Sequence, residues 1–148
     1  LVPAAVCLSL LNPRTGKLLD QFGPRRVVVI GMSLITLGFL LMALLITRLA
    51  LPLAIIGAII TESGNAFVMM PAVTSGANAL PKALIADGTA VTTAVRQLLG
   101  AAGVAVATVI LTQVQAVAGD LAGFQATFLS FAVVGAIGVI LGWRLPRR

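Results

Sequence analysis

The sequence predicts an all-α integral membrane protein, and three observations predict it. Of its 148 residues, 59% are apolar and 9% are charged, against roughly 25% charged in soluble domains. Mean hydropathy is +1.13. The charges gather in short clusters at the ends of uncharged runs, several of which are long enough to cross about 30 Å of hydrocarbon as a helix. Counting those runs gives four full transmembrane helices and one truncated one, all in a single membrane domain over residues 1–148.

The first run, residues 1–11, would extend only about 16 Å as a helix and cannot span alone, so it reads as the end of a truncated span. Leu1 is not a methionine, and the chain is expected to be a fragment of a longer one. No charged segment precedes the run and no small-residue cleavage site follows it, so a signal peptide is not expected. A charged loop is expected over Asn12–Arg26. The first full span, 27–47, carries no charge and is closed by Arg48 and Pro52. The second, 53–79, is interrupted by Glu62 and expected to bend at Pro71, whose ring removes a backbone donor and crowds the preceding turn. Pro81 ends it, and Lys82–Asp87 reads as a short polar loop with Asp87 capping the next helix. The third span is expected over 88–113 and the fourth over 124–142, followed by Trp143 beside cationic anchors, as at a membrane interface.

Charge also orients the chain. Arg14, Lys17, Arg25 and Arg26 precede the first full span, Arg48 follows it, Lys82 follows the second, and Arg144, Arg147 and Arg148 follow the fourth. Alternate connections are enriched, which predicts a multi-pass protein of the cell membrane with residues 12–26, 79–88 and the C-terminal tail in the cytoplasm. Because the cations cluster at span ends rather than along one face with interleaved aromatics, they do not point to nucleic acid. With no His, one Cys and four carboxylates, the chain has no metal-ligand spacing and no nucleophile–base set, so neither an enzyme nor a bound cofactor is expected. Gly138 and Gly142 form a small-xxx-small pair in the last span, read as ordinary helix packing rather than a dimer motif.

Gly16, Leu18, Asp20, Gly23, Arg25 and Arg26 carry the first specific signal. They resemble the loop signature of the major facilitator superfamily, G-x-L-a-D-r-x-G-r-k-x, with departures at Gln21 and Pro24 where the family usually has arginine. Such erosion is common in the second-half copy, so the resemblance implies a C-terminal portion of that helical bundle. It also implies a gating loop at Gly16, Asp20, Gly23, Arg25 and Arg26, in which glycines permit tight turns and Asp20 faces a neighbouring helix N-terminus. The arginines could equally be topology signals, pair with carboxylates or hold anionic head groups.

A second resemblance runs from Val68-Met69-Met70-Pro71 through Asn78-Ala79-Leu80-Pro81 and Gly88-Thr89-Ala90 to Arg96-Gln97-Leu98-Leu99-Gly100-Ala101-Ala102-Gly103. It is similar to the late helices of the fourteen-span EmrB/QacA-type drug:proton antiporters. Thr89, Thr93, Arg96 or Gln97, Gly100 and Gly103 recur every three or four residues, so they share one polar and small face, with Gly100 and Gly103 suited to close helix packing. Glu62 is the one acid inside an expected span, with Asn65 a turn away on the same face. A charge at that depth costs about 2.5–3.5 kcal/mol on insertion scales and must be paired, hydrated or protonated. Glu62, Asn65, Arg96 and Gln97 are therefore the candidates for proton coupling or substrate contact, against the plainer reading of hydrogen bonds between helices.

The resemblance implies secondary active transport, in the form of proton-coupled multidrug efflux by alternating access. Its expected partners are the lipid bilayer, small amphipathic or cationic drug-like substrates, protons as coupling ion and a missing N-terminal half. A facilitator permease for another small molecule and a non-transporting truncated membrane protein are the alternatives.

Overall fold

The computed structural model describes residues 2–46, 51–78 and 80–144, with side chains from Gln21 onward except at residues 51, 70, 75 and 77. Four helices make up nearly all of this: α1 (Val2–Leu45), α2 (Leu51–Asn78), α3 (Ile85–Ala118) and α4 (Asp120–Trp143), with a turn of 3-10 helix at Lys82–Leu84. No strand occurs among the described residues. Four stretches are long and apolar enough to cross a membrane, Gln21–Leu45, Pro52–Thr74, Lys82–Ala118 and Asp120–Trp143.

The structure differs from expectation at the charged loop. Instead of a loop over Asn12–Arg26, the backbone is helical to Phe22 and again from Pro24, broken at Gly23 with φ 77° and ψ 161°. Lys17-Leu18-Leu19-Asp20-Gln21 contains no breaker, so nothing stops the helix before Gly23. That backbone conformation is open essentially to glycine alone. Pro24 disfavours a helical residue before it, lacks a donor, and has the φ of a first helical turn. Gly16 accordingly lies within the helix rather than at a turn. The side chain of Asp20, the truncated-span side chains over 1–11, Arg48 and the tail beyond Arg144 lie outside the described residues.

The third and fourth spans extend beyond their expected bounds at both ends. α2 runs through Pro71, which is fully buried, without leaving the helix. α3 begins at Ile85, so Asp87 sits in its first turn and makes no side-chain cap, though an acid there still favours the helix N-terminus. α3 then continues to Ala118 because no Gly or Pro interrupts Val104–Ala118. Gly119, at φ 87°, makes the whole connection to α4, its N–H donating to the Gln115 carbonyl at 3.0 Å.

α1 is the centre of the bundle and packs on α2 and then α4. Apolar burial gives little drive for helix association inside lipid, so close van der Waals contact through small residues must supply it. Gly31 and Gly64 meet across α1 and α2, and Gly38 meets Thr61 on the same seam. Along the α1–α4 seam Gly135 faces Thr36, Gly138 faces Met32 and Gly142 faces Val29. The Gly138/Gly142 pair is thus used within the chain. Phe39 stacks on Phe131 and Phe128 with ring centroids 5.3 and 6.4 Å apart, a favourable offset range. These pairings make neighbouring helices antiparallel and bring Gly23, the Lys82–Leu84 turn and Trp143 to one end of the bundle.

α3 stands apart. It has no buried residue, leans on α4 where Gly123 meets Leu111 and Gln115, and touches α2 only slightly. At about 51 Å it is also far longer than the hydrocarbon layer.

Candidate functional site

The second half of α2 and the first half of α3 diverge around a groove of about 360 Å³. Its α2 wall is Asn65, Val68, Met69, Ala72, Val73 and Gly76, and its α3 wall includes Thr89, Thr92, Thr93 and Arg96. Gly88, facing Leu80, closes the end nearest the 3-10 turn. Gly76 keeps the floor open, since a Cβ there would meet nothing within 4 Å.

The wall chemistry is divided. α2 contributes mainly apolar surface, while each threonine hydroxyl on α3 donates to a carbonyl one turn back: Thr89 to Ile85, Thr92 to Gly88 and Thr93 to Thr89, all at 2.8 Å. With their protons committed, the hydroxyl oxygens retain acceptor capacity toward the groove. Arg96 supplies the donors. Its Nη1 reaches the Met69 Sδ at 3.1 Å, a weak acceptor, and no carboxylate among the described residues pairs with it. A guanidinium carries five N–H groups, so most of its capacity remains for a ligand or water.

Of the four predicted coupling or substrate residues, the structure brings Asn65 and Arg96 to this groove. Glu62 stands just behind it, half-buried on α2, where its Oε2 accepts from Asn65 Nδ2 at 3.4 Å. That bond is long enough to be weak. Gln97 is exposed on α3 and does not line the groove. Gly100 and Gly103 face open space, with nothing within 4 Å of a Cβ at either, so the close packing expected of them is not made among the described residues. Sequence reasoning missed Met69 as the partner of Arg96. It also missed the Gly31/Gly38 and Gly57/Gly64 pairs, whose seven-residue spacing on successive spans is the signal that marks a packing seam.

A second cavity, of about 440 Å³, lies at the break in α1 and is lined by Phe22, Gly23, Arg25, Arg26, Val29, Ile30 and Trp143. It joins three of the five predicted gating-loop residues to the end of α4. Among the described residues, neither arginine has a carboxylate partner.

No family model matches the chain, and no solved structure matches it. Three relatives do. The uncharacterised MFS-type transporter YcnB of Bacillus subtilis is 31% identical over 99% of this chain and 33% of its own length. The lincomycin resistance protein LmrB of Listeria monocytogenes is 34% identical over 95% of the chain and 33% of its own length, and LmrB of Bacillus subtilis is 32% identical over 75% and 23%. The chain spans a quarter to a third of the length of these relatives. Helices of membrane-crossing length with charged ends, packed through glycine seams, define a multi-pass membrane protein. The chain belongs to the major facilitator superfamily of transporters and corresponds to a C-terminal portion of such a protein; its relatives are transporters and not enzymes.

Proposed function

We propose that the chain forms part of a proton-coupled multidrug efflux transporter of the cell membrane, working by alternating access. The observation that carries this reading is the similarity to lincomycin resistance proteins over nearly the whole chain. The α2–α3 groove fits a substrate role, because an apolar wall opposite acceptor oxygens and one guanidinium suits small amphipathic molecules. Glu62, behind Asn65, is the candidate for proton coupling or for attracting cationic drugs. The break at Gly23, with Asp20 before it and Arg25 and Arg26 after it, is the candidate gate. The nearly bare α3 would be covered by an opposing N-terminal half, with Gly100 and Gly103 at that contact.

The test is drug resistance in hypersensitive bacteria expressing the transporter that carries this chain. Raised tolerance to lincomycin and to an amphipathic cationic dye, abolished by a protonophore, is the expected result. Tolerance unchanged for both at verified membrane abundance would leave a permease for another small molecule as the better reading.

A further inference from the structure

We propose that the cavity at the break in α1 is a binding site for the phosphate of an anionic lipid. Three observations converge there. Arg25 and Arg26 both line the cavity, and among the described residues no acidic side chain does. Neither guanidinium has a carboxylate partner among the described residues, so two forks of donors matched to phosphate oxygens face a space of about 440 Å³. The opposite wall is Trp143, 61% exposed at the end of α4, an aromatic of the kind that settles at head-group depth.

The architecture explains why the site forms at this level. Gly23 interrupts α1 and Pro24 restarts it, so both arginines fall in the first turn of the membrane-crossing segment, where a helix N-terminus adds attraction for an anion. Val29 and Ile30 extend the same wall one turn deeper, with Ile30 half exposed, and offer apolar surface to an acyl chain. Phosphate above and hydrocarbon below is the chemistry of a phospholipid rather than of a free anion. Each cation near an anionic head group is worth roughly a fivefold enrichment, so the pair should favour anionic over zwitterionic lipid by an order of magnitude.

Trp143 is the only tryptophan, so its fluorescence reports on the cavity itself. The full chain would be reconstituted into phosphatidylcholine vesicles containing a small equal fraction of brominated phosphatidylglycerol or brominated phosphatidylcholine. Quenching several-fold stronger with the brominated phosphatidylglycerol is expected. The Arg25→Gln/Arg26→Gln variant should bring the two lipids to parity, whereas Lys82→Gln, at the same end of the bundle but outside the cavity, should not. Helical content by circular dichroism checks that the double variant is folded; if it is not, each single variant is measured and should lose part of the preference. Equal quenching of the unaltered protein by both lipids overturns the proposal. So does a preference that survives the double substitution, or one erased by millimolar inorganic phosphate, which would make the site a reader of free anions.

Discussion

Gly31 and Gly64 stand so close across α1 and α2 that a Cβ on either would sit 2.8 or 2.6 Å from the other's carbonyl oxygen. Backbone cannot yield as a flexible side chain can, so Gly64→Ala should destabilise the bundle by about 1–3 kcal/mol through overpacking. Reversible unfolding in mixed detergent measures it. Gly100→Ala, in open space on α3, should be neutral or stabilising by up to about 1 kcal/mol through helix propensity. Equal losses at the two sites would contradict the packing described.

Gly23→Ala places a side chain at φ 77°, and the strain should cost about 1–3 kcal/mol. Relief would come by straightening α1 at the break, which moves Phe22 and Arg25 relative to Trp143. A shift in tryptophan emission should therefore accompany the loss of stability. Unaltered emission with unaltered stability would mean that the break tolerates a side chain.

Arg96 and Met69 meet inside the groove at 3.1 Å, so Arg96→Gln should lower resistance several-fold in the intact transporter at equal abundance. Gln97→Ala, outside the groove, should change it little. If the two substitutions exchange these effects, the substrate path follows another face of α3.

Glu62→Gln keeps the shape and hydrogen-bonding capacity of the side chain while abolishing its titration. If Glu62 couples protons, gradient-driven efflux should be lost for every drug while the protein still inserts. Loss confined to cationic drugs would assign it to substrate charge instead, and full activity toward both classes across a pH series would leave it a packing residue.

The orientation rests on Lys and Arg alternation. A reporter active only outside the cytoplasm, fused after Arg148, should stay silent. Signal from that fusion would invert every loop.

Span number and the apolar cores of the helices were legible because uncharged length is a composition property, read directly from runs such as 27–47. Helix ends were less legible. Polar residues such as Gln113 and Gln115 suggest a loop, yet the helix runs past them to the backbone break at Gly119. The same confusion of charge with loop made a hinge at Gly23 look like a loop of fifteen residues. At the groove, Asn65 and Arg96 were found because polar groups are conspicuous in an apolar chain. Met69 was not, since nothing in a sequence tells which of several apolar positions will oppose a guanidinium until the register of two helices is known.

The isolation of α3 has a consequence for the order in which the chain assembles. Its two neighbours in sequence differ in what they need: α2 closes on α1 through Gly31 and Gly64 as soon as both are in the membrane, whereas α4 is made after α3 and must then reach back past it to seat Gly135, Gly138 and Gly142 on α1. During that interval α3 has only its slight contact with α2, through Arg96 and Met69. It enters the bilayer as a guest of its neighbours and is held by the one-residue turn at Gly119. Interruption of synthesis after α2 should therefore leave a stable helical hairpin of α1 and α2, while the α1–α4 seam waits until α4 has been made.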